Sequence, residues 1–297
     1  MNQAARNLAR VLCAALVSPV LFSGCFVRAP LTESLGFRPK GMRGDRATPA
    51  EWGWDTARLD TISRTDSAGG LLAWWAPAQT RGAACAGVLL LHGKGRNRAE
   101  LMPLGRSLQM AGYSVLAPDY RGYGGSDGLP TTSGVFADAE LSYQSLRARL
   151  ADTMTPIVIL GHSMGTALAA RLSRDHLPAA TIYMSPFTRI SALVRSRAGV
   201  IGLRLFDTTT FAFNPIEDAS LVRGRSLVVV AGRDALISRS VSDAFIAGLT
   251  PAPSVVRAES ATHNGVLDSE IAVRAVTDTV RAWLPCSARR DSVNGGL

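Results

Sequence analysis

Lysine is nearly absent from this chain. Of its 32 basic residues only Lys40 and Lys94 are lysine, and the rest are arginine. The formal net charge is +9, but the arginines are scattered and no nucleic-acid-binding motif accompanies them. The charge therefore reads as a compositional habit with weak affinity for anionic surfaces, and a nucleic-acid partner is not expected. Aromatic residues make up only 6% of the 297 positions, so aliphatic side chains must build the core. No internal repeat is visible, so nothing points to a repeat architecture. No apolar run reaches the roughly 20 residues that a membrane-spanning helix needs. With 47% hydrophobic and 19% charged residues, the chain is neither disordered nor fibrous. Its length suits one large domain or two small ones.

The N-terminus carries a shorter apolar run, "VLCAALVSPVLF", Val11 to Phe22, with Arg6 and Arg10 before it and Pro19 inside it. This is the layout of a secretory signal. It ends in "FSGC", Phe22 to Cys25, which resembles the lipobox of bacterial lipoproteins, where cleavage precedes a cysteine that is then lipidated. Phe22 stands where leucine is commoner, and an ordinary secretory signal with an incidental cysteine is the alternative. The expectation is a signal peptide over residues 1–24, lipid on Cys25, and a membrane anchor in the cell envelope. Phe26, rather than Asp, follows Cys25; by resemblance to Gram-negative sorting patterns this points to the periplasmic side of the outer membrane. Residues 25–58, including the basic "RPKGMRGDR", read as a tether. With Cys13 removed and Cys25 lipidated, two cysteines remain, Cys85 and Cys286. In an exported protein they either form a disulfide or stand as unrelated thiols, and both readings stay open.

Strand and helix patterns alternate from residue 59 to 286. Apolar runs occur at 86–92, 113–119, 156–163, 180–186, 226–234 and 254–260, several of them continuous and β-branched, as parallel strands buried on both faces are. Helical patterns fall at 98–110, 134–150, 164–174, 239–249 and 268–284, and 64–78 reads as a hairpin with a glycine turn. This predicts an α/β domain: a mostly parallel central sheet with helices on both faces, and ligands at the carboxyl ends of its strands. A long connection over about 187–225 predicts a lid or inserted cap. The apolar face of its "AGVIGLRLF" either lines an acyl pocket or packs on the main core. Residues 287–297 read as a disordered tail.

Within "VILGHSMGTALAARL" the residues Gly161-His162-Ser163-Met164-Gly165 match G-x-S-x-G, with a strand pattern before and a helix pattern after. That context makes Ser163 a nucleophile on a tight turn, backed by the positive end of a helix. A serine hydroxyl needs a base, and in a sheet of this kind the order is serine, acid, histidine. His263 in "SATHNGV" is the one histidine downstream of the later strands; His162 adjoins Ser163 and should point away from it. Asp234, after "SLVVVAGR", is placed to orient His263. Asp243, on the following helix, and Glu259, close to His263 in sequence, are the rivals. Two backbone N–H groups should hold an oxyanion: that of Met164, and that of Lys94 in "LHGKGRNR", with Gly95 the alternative.

"LLLHGKG", "DYRGYGGSDGLP", "LGHSMG", "AGRDALI" and "ATHNGV" occur in the order found in the α/β-hydrolase superfamily, and over residues 60–285 the chain resembles it. The second and last segments are most similar to the bud-emergence-type, or serine aminopeptidase-like, branch. The resemblance implies a Ser163–Asp234–His263 triad and a structural role for the 119–130 loop, with Asp119 and Arg121 paired. It implies hydrolysis of a small acyl ester or thioester without metal or organic cofactor. Peptidase or perhydrolase chemistry on the same triad, or a non-catalytic envelope lipoprotein using the fold as a binding scaffold, are the alternatives. Oligomeric state is not indicated.

Overall fold

The computed structural model describes residues 29–30, 37, 47–64, 69–79, 84–207 and 212–286. The expected signal peptide, Cys25, most of the tether and the tail lie outside the described residues. The centre is an eight-stranded sheet of β1 (Arg58–Ser63), β2 (Gly70–Ala76), β3 (Gly87–Leu91), β4 (Ser114–Pro118), β5 (Ile157–His162), β6 (Ala180–Met184), β7 (Arg225–Ala231) and β8 (Ser254–Ala258). The order across the sheet is β1-β2-β4-β3-β5-β6-β7-β8. Neighbours from β4 to β8 run parallel, whereas β2 is antiparallel to both β1 and β4.

The helices are α1 (Met102–Met110), α2 (Thr132–Arg149), α3 (Gly165–His176), α4 (Ile190–Leu205), α5 (Pro215–Ala219), α6 (Arg239–Ala247) and α7 (Glu270–Trp283). The continuous apolar strands read in the sequence are buried on both faces, and strand alternation divides them between two cores. Leu89, Leu91, Ile157 and Ile159 face a core shared with Ala139 of α2, Leu168 of α3 and Phe245 of α6. Val88, Leu90, Val158 and Leu160 face the other, with Leu104 of α1 and Val276 of α7. Each such side chain contributes about 1.5–3 kcal/mol by leaving water, which is why short aliphatic strands hold the sheet without many aromatics.

From β3 the chain crosses to β4 on one side and returns to β5 on the other. That reversal opens a crevice at the carboxyl ends of β3 and β5. The loops after these two strands therefore face one another.

Two sequence expectations need adjustment. The described part of the presumed tether is packed rather than loose. Phe37 is buried between Tyr123 and Phe213, with ring centroids 6.4 and 6.1 Å away. Trp54 is buried edge-on against Trp74 and donates its indole N–H to Gln109 at 2.7 Å. Large apolar rings gain more from burial than a linker gains from freedom, and basic, Gly/Pro-rich neighbours do not reveal this. Second, Asp119 and Arg121 do not pair with one another. Asp119 pairs with the buried Arg98, and Arg121 with Asp138 at 2.7 Å. For the expected lid or cap over 187–225, most side chains of "AGVIGLRLF" lie outside the described residues, while the described Phe187, Ile190, Leu193, Phe213 and Ile216 pack on the main core. In the same segment Asp218 of α5 binds Arg171 and Arg174 of α3 at 2.8 and 2.6 Å.

The open question over the cysteines is answered by a Cys85–Cys286 disulfide, with Cα atoms 5.1 Å apart. It ties the residues before β3 to the end of α7. Among the described residues no helix is long and apolar enough to cross a membrane.

Candidate active site

Ser163 stands between β5 and α3 with φ of 52°, a left-handed conformation that costs a non-glycine residue about 1–3 kcal/mol. Its neighbours explain the glycine spacing. A Cβ at Gly161 would run into the Gly165 carbonyl, and a Cβ at Gly165 would run into the carbonyl of Leu91 at the end of β3. The turn is pinned on both sides. The Ser163 N–H donates to Met184 of β6 at 2.9 Å, and its carbonyl accepts from the Thr166 N–H at 2.9 Å and the Thr166 hydroxyl at 2.6 Å. Met164 is the N-cap of α3, so the positive N-terminal end of that helix lies beside the serine.

β7 and β8 bring the other two groups. Their ends are held close because Gly232 abuts the Glu259 backbone and the Arg233 N–H donates to Ala261 at 2.9 Å. His263 Nε2 lies 3.0 Å from the Ser163 hydroxyl, and His263 Nδ1 lies 2.7 Å from Asp234 Oδ2. The other Asp234 oxygen accepts N–H bonds from Leu236 and Ile237, both at 2.8 Å. Ser163, His263 and Asp234 are thus joined in one hydrogen-bonded chain across a hundred residues of sequence. Asp243 instead pairs with Arg257 at 2.6 Å, and Glu259 is exposed at the end of β8.

Electrostatics at the pair favour a neutral ring beside a charged acid. Burial presses the His263 pKa down and outweighs the hydrogen bond to Asp234, which acts to raise it; the nearby His162 lowers it further. For Asp234, burial acts to raise the pKa. The hydrogen bond and charge of His263, with the Ile237 and Leu236 N–H groups, outweigh it and hold the carboxyl below its usual value. A neutral imidazole whose Nδ1–H is held by a carboxylate offers the Nε2 lone pair to the hydroxyl.

The loop after β3 packs directly on the elbow. A Cβ on Gly93 would lie 3.2 Å from His162 Nδ1 and 3.3 Å from Ser163 Cβ, so only glycine sits there without a shift. Lys94 follows, half-buried, and Gly95 is exposed. The Gly93 carbonyl accepts from His92 Nδ1 at 2.7 Å, while the Gly93 N–H donates to Glu100 at 3.1 Å. Burial brings the His92 pKa down to about 4, against the raising effects of the Gly93 carbonyl and Glu100. In a trans peptide the N–H points opposite to the C=O. With its carbonyl held by His92, the Gly93–Lys94 peptide turns the Lys94 N–H to the side away from that ring. Arg98 anchors the far end of the loop: it is fully buried, its N–H reaches Asp119 at 2.6 Å, and its guanidinium reaches Asp119 and the carbonyls of Gly124 and Ala47.

His162 does point away from the serine hydroxyl, as expected. What the sequence did not disclose is its destination. Nε2 of His162 lies 3.0 Å from the His263 carbonyl, and Nδ1 faces Glu100 at 3.6 Å. Glu100 carried no motif signal either; its place emerges only when the chain folds. Among the described residues no three His, Cys, Asp or Glu side chains cluster as metal ligands do.

Comparison with known proteins gives this geometry a context. The family model described as serine aminopeptidase, S33, matches residues 82–261. An uncharacterized protein of Mycobacterium tuberculosis is 29% identical over 232 residues, 77% of this chain and 79% of that protein. The lysophosphatidylserine lipase ABHD12 of Gallus gallus is 37% identical over 145 residues, 45% of this chain but 37% of the lipase. Among solved structures, an esterase of Pyrococcus furiosus superposes with a TM-score of 0.66 at 19% identity, covering 84% of this chain and 98% of the esterase. A lidless α/β serine hydrolase of Xanthomonas campestris superposes with a TM-score of 0.58 at 17% identity, covering 78% of this chain and 96% of that one. At these identities the two superpositions speak for the fold.

Proposed function

We propose that this chain, which belongs to the serine aminopeptidase S33 family of α/β hydrolases, cleaves carboxylic esters or acyl thioesters through an acyl-enzyme on Ser163. That it is a hydrolase of esterase-like α/β fold follows from the family and its structural neighbours. The finer reading rests on one observation, the chain Ser163 Oγ–His263 Nε2 at 3.0 Å and His263 Nδ1–Asp234 at 2.7 Å.

In this reading Ser163 Oγ attacks the acyl carbon and its proton passes to His263 Nε2. Asp234 stabilises the imidazolium and fixes its tautomer. The negative oxygen of the tetrahedral intermediate is held by the Met164 and Lys94 N–H groups. His263 then gives its proton to the departing oxygen or sulfur. Water, deprotonated by the same ring, attacks the acyl-serine; the acid leaves and the hydroxyl is restored. The lysophosphatidylserine lipases among the relatives and the esterase among the structural neighbours favour an acyl ester over a peptide.

A fluorophosphonate probe tests the nucleophile: it is expected to label the wild type and not Ser163→Ala, and folded wild-type protein that takes no label refutes the reading. A panel of p-nitrophenyl esters of increasing acyl length, acyl thioesters and aminoacyl amides then separates esterase from thioesterase and peptidase. The proposal includes a lipid anchor on Cys25 at the periplasmic side of the outer membrane. Mass spectrometry of the mature N-terminus tests it, and an unmodified Cys25 or an intact Met1 overturns it.

A further inference from the structure

Three loops must keep register within a fraction of an ångström for this site to work: the elbow at Ser163, the His263 loop after β8, and the Gly93–Lys94 loop after β3. The elbow is fixed by its own backbone bonds. The other two meet it at a pair of buried side chains that the proposed chemistry does not use. His162 is 1% exposed, and the Glu100 side chain is 5% exposed. Since a carbonyl only accepts, the 3.0 Å contact makes His162 Nε2–H the donor to the His263 main chain. The two rings also lie against each other, with centroids 5.1 Å apart. On its other edge His162 faces Glu100 at 3.6 Å, and the same Glu100 oxygen accepts the Gly93 N–H at 3.1 Å. Glu100 is held in place by a short 3-10 turn, Arg98–Leu101, whose N-cap Asn97 accepts from the Ala99 N–H at 3.1 Å.

We infer that His162 and Glu100 are positioning residues: His162 clamps the His263 loop to the elbow, and Glu100 fixes the Gly93 peptide of the oxyanion-side loop packed on it. The inference rests on the catalytic reading of Ser163 and His263 given above. Neither residue touches the reacting atoms. His162 acts by holding the backbone that carries the base, and Glu100 by holding the peptide unit that precedes Lys94. Their loss displaces groups that matter in the transition state more than in substrate binding, so the effect falls on kcat.

The experiment is steady-state hydrolysis of a short p-nitrophenyl ester by His162→Leu, His162→Gln, Glu100→Ala and Glu100→Gln, with Ser163→Ala as reference. His162→Leu fills the space without a donor and is expected to lower kcat about ten- to a hundredfold, with KM within about twofold. His162→Gln places an amide N–H near the lost Nε2–H and is expected to recover most of that rate. Glu100→Ala should behave like His162→Leu. Glu100→Gln keeps an oxygen for the Gly93 N–H and should retain kcat. It also removes a negative charge that favours the protonated His263, so the acid limb of its kcat/KM profile should move to lower pH. Folded His162→Leu with wild-type kcat overturns the inference. So does His162→Gln as impaired as His162→Leu, since packing rather than the donor would then be at issue. If the leucine variant does not fold, the Glu100 pair decides: equal kcat for Glu100→Ala and Glu100→Gln refutes the clamp. Wild-type activity in Ser163→Ala would instead refute the catalytic reading itself.

Discussion

Replacing Asp234 by asparagine tests the site with one atom. In the native protein Asp234 Oδ1 accepts two N–H bonds at 2.8 Å, from Leu236 and Ile237, and Oδ2 accepts a hydrogen bond from His263 Nδ1–H at 2.7 Å. An asparagine there has only one acceptor. Its oxygen must stay with the two backbone donors, since turning it round would set an NH2 group against two N–H groups and lose both bonds. The amide NH2 is therefore presented to His263 Nδ1. That nitrogen can now only accept, so the ring proton moves to Nε2 and faces the Ser163 hydroxyl, where a lone pair is required. The wrong tautomer removes the base without displacing a heavy atom. In serine proteases the same change lowers kcat about 10⁴-fold, and a loss of about 10³- to 10⁴-fold is expected here. At 1.36 kcal/mol per factor of ten this corresponds to about 4–5.5 kcal/mol of transition-state stabilisation. The assay is kcat for a p-nitrophenyl ester, with the rate of fluorophosphonate labelling as an independent measure of nucleophilicity. Folded Asp234→Asn protein within tenfold of the wild type in both would show that the hydrogen-bonded chain is not the catalytic one.

Other consequences follow from the same geometry. Burial holds the His263 pKa below the ordinary imidazole value of about 6.5, so the ring is mostly neutral at pH 7. kcat/KM should fall as pH drops through a midpoint below 6.5; a midpoint above 6.5 would contradict the electrostatics described. Arg98→Met should destabilise the fold by about 3–5 kcal/mol in urea titrations, because it strands the fully buried Asp119 without its partner; a change below about 1 kcal/mol would show the pair to be dispensable. The Cys85–Cys286 bridge closes a loop of 201 residues, so Cys286→Ser should lower stability by about 2–4 kcal/mol. Urea midpoints that do not respond to reductant in the wild type would rule that out.

The parts of this architecture readable from sequence are those with a local signature. Continuous β-branched runs mark strands buried on both faces, and β3, β5 and β6 lie where those runs do. Ser163 was legible because its glycines answer a steric demand within five residues. Asp234 and His263 were legible because each closes a strand in a fixed order along the chain. What stayed hidden depends on contacts with no local mark. Glu100 looks like any helix-end acid until Gly93 N–H meets it. Asp119 and Arg121 suggested a pair because they are neighbours in sequence. Burial chose Arg98 instead, whose guanidinium also satisfies the carbonyls of Gly124 and Ala47. Phe37 and Trp54 were lost in a basic, Gly/Pro-rich stretch, since their anchoring depends on rings elsewhere in the chain.

Backbone strain shows where the fold has been shaped for something other than stability. Among the described residues three non-glycine positions have positive φ: Ser163, Leu177 and Ser185. Leu177 is the C-cap of α3, an ordinary place for a left-handed residue. The other two stand at the carboxyl ends of adjacent strands, β5 and β6, beside the crevice. Each costs about 1–3 kcal/mol and persists only if its surroundings over-determine it. They do: Ser163 N–H is bonded to Met184 of β6 at 2.9 Å, and Ser185 N–H to Val229 of β7 at 2.8 Å. Each strand thus holds the strained residue of the one before it, so the turn at Ser163 is supported from β7 through β6. A relaxed turn at Ser163 would recover that local cost only by giving up the bonds that hold it. The strain is retained because the rigid sheet edge beneath it leaves no other path.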